Sequence, residues 1–214
     1  MNKSILWLIG LLFAASCTIV SCSETDDVED PYANWADRNQ LYIDSIAKVA
    51  RANEGSQPGQ WKIIRSYKLP SLGLDQTPEV NDYVYAKIIE NGDPNGASAL
   101  FKDSVRVSYR GKMINGVIFD ATYQGEFDLA TAGVVGFRAN EVVVGWTSAL
   151  MQKFGDMKVG DYWELYIPSD LGYGVSGKAS IPGYSTLIFN LYLRGVYPLE
   201  GNERSLKAVK VEKN

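Results

Sequence analysis

The chain contains no histidine. That removes the commonest general base, the Ser-His-Asp triad and every His-ligated metal site, each of which needs an imidazole as proton acceptor or ligand. Cysteine is nearly absent as well: the two residues, Cys17 and Cys22, both stand near the N-terminus and none follows. Positive charge is in short supply. The formal charge is −4, and without residues 1–21, which hold Lys3 and no acid, 20 basic residues face 25 acidic ones, a charge of −5. Nothing in this balance draws in nucleic acid. What is present suits a globular protein. A length of 214 residues, with 46% apolar and 21% charged, can bury one ordinary core and leave material for an extension or a second small unit.

The N-terminal apolar run from Ile5 to Val20 is broken only by Gly10, Ser16, Cys17 and Thr18. It is short for a membrane span of about 20 residues. With Lys3 before it and small residues at its end, it has the form of a cleaved signal peptide, so export is expected. The run closes in Ile19-Val20-Ser21-Cys22, which resembles a bacterial lipobox. That resemblance implies lipidation at Cys22 and an anchor in the outer membrane, with the protein facing the periplasm or the surface. Cys17 ranks second, because Ala14 occupies the place where the motif prefers Leu. The polar acidic stretch Ser23 to Asp30 cannot bury apolar surface and reads as a solvated tether. It is similar to the acidic stretch that follows the lipidated Cys in some surface-exposed Bacteroidetes lipoproteins.

Between Asn34 and Asn53 the residues Ile43, Ile46, Ala47 and Ala50, with Tyr42 and Val49 beside them, recur at helical spacing. Asn34 is the expected cap, with Asp37 in the first turn, and Glu54 to Gly59 the expected stop. Trp61 to Leu69 reads as a strand and Pro70 to Asn81 as a loop. From Tyr83 onward, short β-branched and aromatic segments punctuated by glycine indicate a mostly β region. Val105, Val107 and Tyr109 alternate with Arg106, Ser108 and Arg110, as in a sheet with one wet face. Asn115-Gly116 predicts a hairpin. Trp146 to Phe154 is helix-compatible. Trp163, Leu165 and Ile167 alternate with Tyr162, Glu164 and Tyr166, and a last strand is expected from Thr186 to Val196.

Several blocks then match one family in order. Val105 to Gly111 followed by Asn115 to Asp120 resembles the first hairpin of the FKBP-type peptidyl-prolyl isomerases, and Val142-Val143-Val144-Gly145-Trp146 resembles their strand leading into a central helix. Met157 to Asp161, Ile167 to Gly174 and Ile181 to Phe189 complete the likeness, which covers roughly residues 83–197. The resemblance implies an α+β fold, an antiparallel half-barrel of five to six strands wrapped around one short helix. The expected division is a signal peptide over 1–21, an acidic tether over 22–31, an N-terminal extension with the amphipathic helix over 32–82, an isomerase domain over 83–197 and a tail over 198–214. Carried over residue by residue, Trp146 forms the pocket floor, with Tyr109, Phe119, Phe137, Val142, Val143, Ile181 and Phe189 as walls. Asp120 and the Tyr173 hydroxyl are its polar points, and the Val143 N–H is a donor to a ligand carbonyl. As a set these aromatics suit a small apolar site with few polar groups; singly, each also suits an ordinary core. Asp120 beside aromatics calls for a partner if buried, and Tyr109 is one source of it.

The implied reaction is cis/trans isomerisation of X-Pro bonds in exported polypeptides, without cofactor or metal. It suits a chain without histidine, since no bond is broken: the barrier is C–N rotation, about 18–20 kcal/mol. The resemblance also implies that the macrolides tacrolimus and rapamycin are accepted. Two stretches depart from the family's compact members, Ala121 to Gly136 and Trp146 to Met157. The first has three open roles: shaping substrate choice, docking the N-terminal helix, or covering the site. The alternative reading is a non-catalytic binding or chaperone lipoprotein, a holdase if Trp35, Tyr42 and Trp61 are exposed. For the anchor, Cys22→Ala is expected to leave an unlipidated precursor that moves out of the membrane fraction; unchanged fractionation and migration would refute the assignment.

Overall fold

The computed structural model describes residues 30–69 and 77–199. The signal segment, Cys22, most of the acidic tether, residues 70–76 of the expected loop and the tail beyond 199 lie outside the described residues. The chain divides into two compact units, Met1–Ala33 and Asn34–Asn214. In the first, residues 30–33 form a turn in which the Ala33 N–H donates to the Asp30 carbonyl at 3.0 Å and the Tyr32 N–H to the Asp30 carboxylate at 2.9 Å.

The second unit opens with helix α1, Trp35–Ala52. Ile43, Ala47 and Ala50 are buried on its inner stripe, Tyr42 and Ile46 pack beside them, and Trp35 and Asn39 carry the stripe to the N-terminal turn. Val49 faces water instead, 52% exposed, because it falls outside the stripe. Asn34 occupies the cap position, but its backbone is left-handed at φ 51° and its side chain makes no capping bond. A capping side chain needs an extended backbone to reach the free amides of the first turn, so Asn34 does not cap, and the Asp37 charge in the first turn favours that helix end.

Seven strands form one antiparallel sheet: β1 (Trp61–Arg65), β2 (Tyr83–Glu90), β3 (Ser104–Lys112), β4 (Ile118–Ala121), β5 (Val135–Arg138), β6 (Tyr162–Ile167) and β7 (Leu187–Tyr197). The order is β1-β2-β6-β7-β3. Beyond β3 the edge is shared, with Ser104 to Val107 pairing with β5 and Arg110 to Lys112 pairing with β4. The count exceeds the expected five to six because β1 adds a strand at the far edge, pairing Trp61 with Lys87 through Arg65 with Tyr83. β1 stops at Arg65, short of Leu69, where Ser66 to Leu69 close a turn. The hairpin at Asn115-Gly116 is present. Gly116 takes φ 82°, its N–H donating to the Met113 carbonyl, while the Met113 N–H returns to Val117, which is a type I turn closed by a left-handed glycine.

The inner face of the sheet wraps helix α2, Val144–Leu150, whose residues Gly145 to Leu150 are all buried. The helix ends at Leu150, before the expected Phe154, because residues 151–154 turn back, with the Phe154 N–H on the Met151 carbonyl. The outer face is not wet over β6. Tyr166 lies beneath α1 with ring centroids 5.4 Å from Trp61 and 6.2 Å from Tyr42, and Phe127 covers Tyr162 at 4.6 Å. The alternation read as one dry and one wet face therefore holds only in the first half of β3, where Ser104 and Arg106 are exposed; Ser108 is buried, its hydroxyl donating to the Gly133 carbonyl and accepting from Arg194, and on β6 the outer face is covered. Trp35 and Trp61 are both buried, so they offer no surface for holding clients.

Burial under α1 also makes the outer face sensitive to alkali. Burial pushes the Tyr85 hydroxyl from its usual 10.0 up to about 12, and Tyr166 is raised by burial and by its bond to Glu164. The unfolded chain ionises first, so this stability is complete below about pH 10 and is lost as pH rises through about 12. Urea midpoints measured from pH 8 upward are expected to stay level to about pH 10 and fall beyond it; a level profile to pH 11.5 would contradict this coupling.

Candidate functional site

A cavity of about 600 Å³ opens between the inner face and α2. Strand alternation delivers Tyr109 from β3 and Phe189 from β7, β4 and β5 supply Phe119 and Phe137, and α2 supplies Trp146. Trp146 is 3% exposed and three rings meet it at steep angles: Tyr109 at 5.1 Å and 84°, Phe137 at 5.9 Å and 83°, Phe189 at 5.0 Å and 75°. Phe119 closes on Phe189 at 5.4 Å and 83°. Edge-to-face packing of this kind adds about 0.5–1.5 kcal/mol per pair beyond area burial and fixes ring orientation. The Trp146 indole N–H has no acceptor among the described residues. Val142, Val143 and Ile181 complete the apolar lining.

The structure brings all ten expected pocket residues to this one cavity, Asp120 and Tyr173 included. Their environments differ from expectation at one point. Asp120 is exposed at the rim, so no burial has to be compensated. It accepts the Tyr109 hydroxyl at 2.5 Å, and burial together with this bond raises the Tyr109 pKa far above its ordinary value. The phenol therefore stays protonated and fixed as a donor. Val143 precedes α2 at its N-terminus, where its carbonyl accepts the Thr147 N–H at 3.2 Å. Its own N–H is taken by no acceptor among the described residues. Tyr173 stands at the opposite rim with the Lys178 ammonium 5.1 Å from its ring centroid.

Glu141, Val144, Gly172 and Lys178 to Ser180 also line the cavity and were not foreseen. The signal for the last three was available: a loop leaving the pocket at Tyr173 and returning at Ile181 has to cross its mouth. No residue of the long segment from Ala121 to Gly136 is part of the lining. Its Phe127 packs against Tyr162 and Tyr192 on the other side of the sheet, at 4.6 and 5.3 Å, and Arg110 lies over Tyr123 at 4.6 Å. The segment covers the outer face and leaves the entrance open.

Gly111 is a further requirement of the pocket. A methyl at its Cα would lie 2.5 Å from the Phe119 ring and 2.6 Å from the Phe189 ring, which meet across the strand because nothing stands between them. Gly111→Ala is expected to force these rings apart, costing about 1–3 kcal/mol. Denaturant unfolding and the near-ultraviolet circular dichroism of the ring cluster check this; no change in either would mean that the rings have room to spare.

Comparison with known proteins agrees with the geometry. The family model for FKBP-type peptidyl-prolyl cis-trans isomerases matches residues 96–194. The chain is 32% identical over 193 residues to the macrophage infectivity potentiator of Trypanosoma cruzi, covering 90% of this chain and 82% of that protein. It is 41% identical over 108 residues to the FKBP-type 22 kDa peptidyl-prolyl cis-trans isomerase of Escherichia coli K12, which is 50% of this chain and 47% of that one. It is 36% identical over 111 residues to the outer membrane protein MIP of Legionella longbeachae, 51% of this chain and 42% of that one. An aromatic cavity built on an antiparallel sheet around a short helix, and a relative matched over most of both chains, lead to one conclusion: the chain belongs to the FKBP-type peptidyl-prolyl cis-trans isomerases.

Proposed function

We infer that this cavity binds the prolyl residue of an X-Pro segment and accelerates rotation about its peptide bond. The observation that carries the reading is the Trp146 floor with Tyr109, Phe137 and Phe189 standing on edge around it. A prolyl ring is compact, apolar and without an N–H, and it matches such a floor. The Val143 N–H is proposed to hold a substrate carbonyl, the Tyr173 hydroxyl to steady the other side, and Asp120 to lock Tyr109.

Rotation takes the amide through a twisted state in which resonance is lost. Its charge separation is then smaller than in the planar form, so a dry aromatic cavity disfavours the planar state more than the twisted one. Each difference of about 1.4 kcal/mol is worth about tenfold in rate. No proton moves and no bond breaks, which is why a chain without histidine can carry the reaction. Substrates are proposed to be proline-containing segments of exported proteins. The lipid anchor at Cys22 and residence at the outer membrane are proposals that rest on Ile19 to Cys22, in accord with the Legionella relative being named an outer membrane protein. The open entrance supports binding of tacrolimus and rapamycin.

Residues 23–214 are expected to speed cis/trans exchange of a short X-Pro peptide, with rapamycin competing. Tyr173→Phe keeps the ring and removes one hydrogen bond, so it should cost about 0.5–1.5 kcal/mol, a modest factor in rate, with the fold intact. A folded wild type no faster than buffer on several residues before proline would overturn the enzyme reading and leave a binding module.

A further inference from the structure

The loop between Tyr173 and Thr186 carries the far rim of the pocket, and its backbone is strained. Ala179 and Tyr184, neither of them glycine, sit at φ 51° and 62°. Side chains other than glycine reach that region at a cost, and keep it only where surrounding bonds over-determine the conformation. Inside the loop, Lys178 and Ile181 exchange both backbone hydrogen bonds at 2.9 Å, and the Tyr184 N–H donates to the Gly174 carbonyl at 3.0 Å. The return end of the loop is held from outside it.

Helix α1 holds that end. The Trp35 indole N–H donates to the Ser185 hydroxyl at 2.9 Å, and the Ser185 hydroxyl donates in turn to the Pro182 carbonyl at 2.7 Å. Asn39 accepts the Thr186 N–H at 2.7 Å while its own amide donates to the Trp35 carbonyl at 2.8 Å. Trp35, Asn39, Ser185 and Thr186 are each at most 7% exposed, so water does not compete for these bonds. The contacts span 150 and 147 positions of sequence. Pro182 is bonded directly to Ile181 in the pocket wall, and Tyr184, next to Ser185, ties to Gly174, next to Tyr173. A serine hydroxyl that accepts from one side and donates to the other has a fixed rotor, so displacement of α1 is passed to the Pro182 carbonyl.

We propose that Trp35 and Asn39 are positioning residues for the prolyl pocket, holding Ile181 and Tyr173 in place through Ser185 and Thr186. This rests on the isomerase reading above, and it makes the N-terminal helix part of the working site although none of its residues lines the cavity.

Trp35→Phe keeps an aromatic ring, though a smaller one, and deletes the indole N–H. Asn39→Leu removes the acceptor, and Asn39→Asp keeps it; burial favours the neutral carboxyl, which also keeps a donor for the Trp35 carbonyl. In the full chain, Trp35→Phe and Asn39→Leu are expected to lower kcat/KM for an X-Pro peptide by about threefold to tenfold, mainly through KM. They are also expected to speed amide exchange at Ile181 to Thr186, with Asn39→Asp closer to wild type in both. Ile46→Val trims the packed face of the same helix at a position outside the crevice that Asn39 shares with Tyr184 and Thr186, and is expected to lower stability while leaving kcat/KM unchanged. Adding Trp35→Phe to Ser185→Ala is expected to cost nothing beyond Ser185→Ala alone. Wild-type kcat/KM and loop exchange in both Trp35→Phe and Asn39→Leu would overturn the proposal, as would a fully additive double variant. If the wild type shows no turnover, the isomerase reading fails by itself, and loop exchange still decides whether α1 holds the rim.

Discussion

A helix with no face to water sets the conditions for everything around it. α2 is 7 residues long and Gly145 to Leu150 are all buried. A helix of that length is far below the roughly 12–15 residues at which isolated helices become even marginal, so tertiary burial has to stabilise it. Its hydroxyl side chains turn onto backbone, Thr147 to the Ala139 carbonyl at 2.8 Å and Ser148 to the Val144 carbonyl at 2.9 Å, while the Trp146 indole N–H has no acceptor among the described residues. The sheet curls around an element it cannot leave exposed, and the gap that remains where the curl opens is the pocket. Pocket and core are thus one packing arrangement, with Trp146 belonging to both.

The outer face obeys a second constraint. β6 is the third strand from the β1 edge and carries tyrosines on its outer side, which need cover on most of their ring area and a partner for each hydroxyl. α1 covers Tyr166, whose hydroxyl finds Glu164 at 2.7 Å, and the segment after β4 covers Tyr162, whose hydroxyl lies 3.4 Å from that of Tyr123. The helix and the long segment therefore divide one task between them. Neither lines the pocket, and the helix reaches the rim loop through buried hydrogen bonds.

The chemistry of the site follows from scarcity of polar groups. Within the cavity the rings are held by each other and by a single short bond between Tyr109 and Asp120. In the mechanism proposed above, fixed donors and a dry floor suffice, because the reaction only twists a bond and what is stabilised is a less charge-separated amide. The exposed carboxylate at Asp120 fits this: it is an acceptor for a buried phenol, with one side in water, rather than a buried base.

Sequence alone determined those features that depend on near neighbours and alternation. The buried side of β3, the amphipathic stripe from Ile43 to Ala50, the hairpin at Gly116 and the assembly of Tyr109, Phe119, Trp146, Tyr173 and Phe189 into one pocket were all legible, the last through motif order. Tertiary structure decided what depends on distant partners. Asn34 lies where a cap belongs but takes a left-handed backbone, and the outer tyrosines of β6 look wet until Phe127 and α1 lie over them. Asp120 proved exposed because strand pairing puts it at the rim. Gly111 is needed only because two rings from β4 and β7 converge on it. The bonds of Trp35 and Asn39 to Ser185 and Thr186 have no local signature, since a period-3.6 pattern reports which side of a helix is buried and says nothing of what that side touches some 150 residues away.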